Sequence, residues 1–406
     1  MNVPVSGKVI YPEDKQALAD LVLSDADPTY GKYNQLFETE FANYIGVRHA
    51  HFVNSGSSAN LLAFAAFASP NMYKGWRIKS GDEIITIAAS FPTTITPILQ
   101  YKCIPVFVDI DNTHNINTDL LEKALTKKTK GVFIAHTLGN PFHIPTVLDF
   151  CRRHGLFLIE DSCDALGSKF NGRFCGSFGD VSTFSFYPAH HMTTFEGGMV
   201  TTSDDTISTI VRSLSAWGKN CFCSPGKDNA CGKRFTGQFG ELPVGYDHKY
   251  VFEEIGYNLQ ATQLQALMGY RQLQHLDEFT EKRHENFNYL HLRLEELSFT
   301  QIQLPRKYAL SDPSWFGFPI LLNPDKYDRR KVTEELTLRG VQNRLLFAGN
   351  ITKQPMFTKS KYPYRVVGDL TMTDKIMNNL FWIGSYHGLS AEQMKYSADT
   401  IMEVLG

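Results

Sequence analysis
Four cysteines carry the first chemical signal. Cys221, Cys223 and Cys231 fall within eleven residues of a polar stretch and Cys163 lies far upstream, giving the pattern C-x57-C-x-C-x7-C. Core filling does not explain thiols crowded into polar sequence, so a metal site is the better reading. The spacing matches neither a usual zinc finger nor a common ferredoxin run, and it does not name the metal. Cys163 belongs to the segment Glu160-Asp161-Ser162-Cys163-Asp164. A buried aspartate there could pair with a protonated ring nitrogen and hold it charged; a helix cap or a solvated loop is the other reading. Ser185-Phe186-Tyr187-Pro188-Ala189-His190-His191-Met192 offers a general base near neutral pH. Adjacent residues of extended chain point to opposite faces, so the two histidines do not share a ligand, and a structural histidine is the alternative. Asn54-Ser55-Gly56-Ser57-Ser58-Ala59-Asn60 is a turn whose N–H groups suit a phosphate, or one that simply caps a helix.

Such residues need elements to position them. Apolar runs predict strands at His51–Val53, Glu83–Ala88, Pro105–Asp109, Gly131–His136 and Leu156–Glu160. Between them, helical patterns cover Ala59–Ala68, Thr94–Tyr101, Leu120–Leu125 and Val147–His154. The alternation implies an α/β fold with a mostly parallel central sheet, helices on both faces, and ligands outside the carboxyl ends of the strands. Residues 217–250, rich in Gly, Pro, Asn, Asp and Lys, read as one long functional excursion. Helical sequence from Gln260 to Leu297 leads to a strand at Phe316–Leu322 and helices at Arg330–Arg339, Met372–Leu380 and Ala391–Val404. The expectation is a large domain over 1–270 and a small C-terminal α+β domain over 271–406. A net charge of −2 gives no basis for a nucleic-acid or membrane partner held by bulk charge. No apolar run reaches the ~18 residues of a spanning helix. Met1-Asn2-Val3-Pro4 is unlike a secretory leader, so a cytoplasmic protein with reduced thiols is expected.

Together these segments resemble the sugar-modifying branch of the fold-type I pyridoxal phosphate enzymes, the DegT/DnrJ family of sugar aminotransferases and dehydratases. Its aminotransferases carry Ser-Phe-x-x-x-Lys ahead of Glu-Gly-Gly. Here Ser185-Phe186 and Glu196-Gly197-Gly198 are present and the lysine register falls on His190, as in the dehydratases. Further likeness lies in Gly226-Lys227-Asp228-Asn229, Gly245-Tyr246-Asp247-His248-Lys249-Tyr250, Leu346-Phe347-Ala348-Gly349-Asn350 and Phe381-Trp382-Ile383-Gly384. The resemblance implies that Asp161 faces the pyridine nitrogen, that Gly56, Ser57 and Ser185 surround the phosphate, and that Phe91 stacks on the ring. It places Asn258 at the phosphate of a neighbouring subunit, hence a homodimer, with Tyr187 and Asp164 near the reacting group. The chain departs from the expected pattern at Phe195, where glycine is usual, and at Ser162, where asparagine is.

The four cysteines look like the [2Fe–2S] motif of the iron–sulfur 3-dehydrases of that family. The resemblance then implies reductive deoxygenation of a nucleotide-linked 4-keto-6-deoxyhexose. Pyridoxamine 5′-phosphate (or pyridoxal 5′-phosphate) is the coenzyme, His190 removes a proton from its C4′ carbon, and the C3 hydroxyl is expelled. The cluster passes electrons from a separate NAD(P)H-dependent flavin or iron–sulfur reductase, and a 4-keto-3,6-dideoxy sugar leaves. Three alternatives stand beside this. One is a cluster-free 3-dehydratase of the colitose-pathway type that regenerates its amine from glutamate. Another is an aminotransferase using Lys219 or Lys227, and the third a non-catalytic protein with a structural zinc.

Overall fold
Runs such as Glu83-Ile84-Ile85-Thr86-Ile87, buried at every position, are strands covered on both faces. The computed structural model describes residues 1–223, 229–297 and 300–406. Gly226, Lys227 and Asp228, part of the family likeness, lie outside the described residues. The strands are β1 (His49–Val53), β2 (Glu83–Ile87), β3 (Ile104–Val108), β4 (Thr129–Ala135), β5 (Phe157–Asp161), β6 (Lys169–Phe170), β7 (Arg173–Phe174), β8 (Val181–Ser185) and β9 (Gly198–Thr202). Later come β10 (Ile302–Gln303), β11 (Ser311–Asp312), β12 (Phe318–Leu322), β13 (Asn343–Arg344), β14 (Arg365–Val367) and β15 (Leu380–Ile383).

Eight strands form the main sheet in the order β1-β9-β8-β5-β4-β2-β3-β14. Every pairing from β8 to β14 is parallel, and β9 alone runs antiparallel to both its neighbours. This is the fold expected of a mostly parallel sheet flanked by helices. A second sheet, β10-β12-β15-β13, is antiparallel and built from residues beyond 300. Periodicity in that region did not foresee β14, which returns from the C-terminal part to pair with β3 at the edge of the large sheet. Helices Pro12–Leu23 and Lys32–Ile45 were also absent from the sequence reading. Residues 251–262 return the excursion to the sheet, and among its described residues the only regular element is a short helical turn, His248–Tyr250.

The end of β5 is braced from below. Glu160 is fully buried, and its carboxylate accepts the N–H groups of Gly176, Phe178 and Gly179 and the Ser182 hydroxyl. Its Oε2 also lies 3.0 Å from His136 Nε2. Burial works to raise this carboxyl, but His136 and the backbone donors hold it below its ordinary value. Glu160→Ala strands all of these partners without an acceptor. It is expected to cost about 3–5 kcal/mol of stability in denaturant unfolding.

Phe195 has φ +68°, the left-handed region that favours glycine. The glycine expected from the family at this position thus has a backbone reason.

Candidate active site
Parallel strands deliver their loops to one end of the sheet, and the proposed site residues gather there. Asp161 ends β5, Ser185 ends β8, Gly56 opens the helix after β1, and Phe91 caps the helix after β2. A cavity of about 820 Å³ is lined by Gly56, Ser57, Phe91, Asp161, Cys163, Asp164, Ser185, Tyr187 and His190. Residues of the C-terminal part close it, among them Phe316, Arg344, Phe347 and Trp382.

Local sequence explains this placement. Ser55 caps the helix Gly56–Ala66 by accepting the Ser58 N–H, and the amides of Gly56 and Ser57 before it are the ones placed to face an anion. A Cβ at Gly56 would lie 2.5 Å from Ser185 Cβ, so only glycine lets this helix start approach β8. Asp161 is buried, and its Oδ2 accepts from Asn60 Nδ2 at 2.9 Å and Thr94 Oγ1 at 2.7 Å. Its Oδ1 accepts from the Cys163 N–H at 3.2 Å. The sequence reading missed Asn60 and Thr94. A polar residue on the buried face of an otherwise apolar helix was the available signal for Asn60. Phe91 and Tyr187 each keep about half their surface exposed at the cavity wall, and Phe91 meets Phe347 edge-on at 6.2 Å.

His190 packs against the Phe316 ring at 5.1 Å. Its Nδ1 is 3.4 Å from Asp164 Oδ1, within ion-pair reach but not aligned as a hydrogen bond, so the atom keeps an open bonding position. Burial, then the charge of Arg283, lowers the imidazole to about 3. Burial, then Asp161, raises the Asp164 carboxyl to about 8. Burial thus favours the uncharged form of both groups. The neighbouring His191 points elsewhere, with Nε2 on the Ser314 carbonyl at 2.7 Å.

Two proposed residues lie outside this grouping. Asn258 is exposed and does not line the cavity. Lys219 stands over the Trp217 ring at 4.5 Å, beside a different cavity. Among the described residues that line the first cavity, none is a lysine.

The chain matches the DegT/DnrJ/EryC1/StrS aminotransferase family over residues 9–402. It belongs to that family. It is 48% identical to the lipopolysaccharide biosynthesis protein RfbH of Salmonella typhimurium over 408 residues, covering 100% of this chain and 92% of the relative. It is 43% identical to the dTDP-4-dehydro-2,6-dideoxy-D-glucose 3-dehydratase of Saccharopolyspora spinosa, over 98% of this chain and 85% of that protein. Among solved structures, the E. coli GDP-4-keto-6-deoxy-D-mannose-3-dehydratase with bound hydrated PLP superposes with a TM-score of 0.88 at 29% identity, covering both chains in full.

The iron–sulfur expectation is corrected by the placement of its donors. Cys163 stands in the wall of a cavity that Cys221, Cys223 and Cys231 do not line. Cys221, Cys223 and Cys231 are neighbours in the excursion, with Cys231 Sγ 3.4 Å from His248 Nδ1. Among the described residues, no three His, Cys, Asp or Glu side chains converge on a point that could hold a metal ion. The narrower likeness to CDP-4-keto-6-deoxyglucose-3-dehydrase, the [2Fe–2S] cofactor, the reductase partner and the structural zinc lose their basis together. Spacing along the chain showed that the thiols were available; Cys221, Cys223 and Cys231 do touch one another, but Cys163 is held in the cavity wall. Among the described residues no helix is long and apolar enough to cross a membrane.

Proposed function
We propose that this protein is a coenzyme-dependent 3-dehydratase acting on a nucleotide-linked 4-keto-6-deoxyhexose, cluster-free, with its amine restored by glutamate. The observation that carries the reading is that His190 and Asp161 line one cavity whose described lining has no lysine, within an aminotransferase family. The cavity fits the coenzyme. The free helix start at Gly56 and Ser57, with Ser185 opposite, suits its phosphate, buried Asp161 suits a protonated ring nitrogen, and Phe91 offers a ring face. Bound there, pyridoxamine phosphate supplies an amine for the C4 carbonyl, a ring that accepts electron density, and, on oxidation to the aldehyde, the two electrons that replace the C3–O bond. Asp161 keeps the ring nitrogen protonated. His190 takes the proton whose removal expels the C3 hydroxyl. Tyr187 stands at the mouth, where the sugar enters. The reading places the protein in the cytoplasm, which its seven free cysteines support, and assigns Asn258 to the site of a second copy.

The test is incubation with pyridoxamine phosphate, glutamate and a series of nucleotide-linked 4-keto-6-deoxyhexoses, followed by mass spectrometry. The expected result is a sugar lacking one oxygen and an equal amount of 2-oxoglutarate. Turnover that instead demands iron and an external reductant, or formation of an amino sugar, would overturn the reading.

Arg344 is the one permanently positive side chain among the described lining residues; it is exposed on β13 at the mouth. A diphosphate leaving the cavity passes such a cation. Arg344→Gln is expected to raise KM for the nucleotide sugar about tenfold with little change in kcat, as steady-state kinetics will show.

A further inference from the structure
Arg283 is a fully buried cation that the reaction as described does not use. It projects from the helix Leu276–Leu294 into the back of the site. Taking a guanidinium out of water is costly, and it persists only where its donors are well used. Among the described residues no carboxylate lies within ion-pair reach of it. Nη1 donates to the carbonyls of Trp315 at 3.1 Å and Phe316 at 3.3 Å, and Nη2 donates to the carbonyl of His190 at 3.3 Å. The buried Nε has no hydrogen-bond partner among the described residues, and the two terminal nitrogens are spent on three backbone oxygens. One belongs to the proposed base and another to the residue whose ring packs against that base at 5.1 Å. The other ionisable groups around it are Asp164 on the loop after β5, His191 beside His190, and Tyr386 and His387 on the loop after β15.

We propose that Arg283 is a positioning residue for His190. Its fork ties the His190 backbone to the Trp315–Phe316 segment, and this fixes the imidazole between the Phe316 ring and the cavity. The helix Leu276–Leu294, through this side chain, then joins the segment leading into β12 to the loop after β8 that carries the base, beside the bond from His191 to the Ser314 carbonyl. The inference rests on the proposed dehydratase reading for its consequence on rate, but its geometry can be tested without turnover.

Arg283→Lys keeps the charge and loses the fork, whereas Arg283→Gln loses both. Carbon-13 histidine spectra of the coenzyme-free chain, with the His190 signal assigned through His190→Asn, read the imidazole's surroundings directly. In both variants the His190 signal is expected to move while those of His51 and His136 stay in place. In the coenzyme-loaded Lys variant, kcat is expected to fall about a hundredfold with KM unchanged, as small misplacements of a reacting group do. A His190 signal that stays in place in the folded Lys variant overturns the proposal, and so does a moved signal with wild-type kcat. Should Arg283→Gln fail to fold, the Lys variant decides alone. Absence of dehydration by the wild-type chain would count against the dehydratase reading, and the spectra would still decide the role of Arg283.

Discussion

His190→Asn is expected to slow C3–O cleavage by about a thousandfold or more, at the upper end of what a positioned general base contributes. Asparagine occupies much of the same space but accepts no proton near neutral pH. Burial and Arg283 already hold the imidazole unprotonated, at about 3, so the base is ready at working pH without prior proton loss. The sign of the pH dependence follows. A base with a lowered value stays active until the pH falls through that value, so the acid limb of kcat should lie well below the ordinary 6.5 of histidine. On the alkaline side, Asp164 loses its proton as the pH passes about 8 and places a carboxylate beside Nδ1, where a second limb is expected. Single-turnover rates with preloaded pyridoxamine phosphate, measured across pH, check both points. Coenzyme affinity, followed by absorbance, should be unchanged in the Asn variant. A rate within tenfold of wild type would remove His190 from its proposed role.

The second large effect is expected at Asp161. Asp161→Asn keeps an oxygen for Thr94 and a similar shape, so the β5 end should stay folded, but it cannot hold a positive charge on a ring nitrogen. Losing one preorganised charge at the reacting group is expected to lower kcat about 10²–10³-fold. Coenzyme should also bind more weakly. Melting temperature separates the two roles of this residue, since its carboxylate also anchors Asn60, Thr94 and the Cys163 N–H. A variant with an intact melt and wild-type kcat would show that the ring nitrogen needs no partner here.

Much of this site was legible because its determinants are local. A small-residue turn, an acidic strand end and a histidine segment each lie within a few residues of a strand terminus. Parallel connections deliver all such termini to one edge, so the segments bearing Gly56, Ser57, Asp161 and His190 meet there, whereas Phe91 and the part played by Ser185 came from the family resemblance. Asp164 and Tyr187 follow as their immediate neighbours. The cysteines show the limit of that logic. Cys163 follows β5 into the cavity wall, while Cys221, Cys223 and Cys231 ride an excursion whose course no periodicity specifies, so among the described residues the four thiols do not form one metal-holding set.

The sequence by itself determined the α/β alternation, the strand ends that bear the site, and the histidine standing in the lysine register. Hydrophobic period and turn chemistry are properties of neighbouring residues. Only the tertiary structure decided what closes the cavity and what aims its base. β14 joins β3 from the far end of the chain, Arg344 reaches the mouth on an edge strand of the second sheet, and Arg283 bonds the His190 carbonyl from 93 residues away. These contacts depend on how the C-terminal part packs against the large sheet, a global balance of burial that no local pattern records.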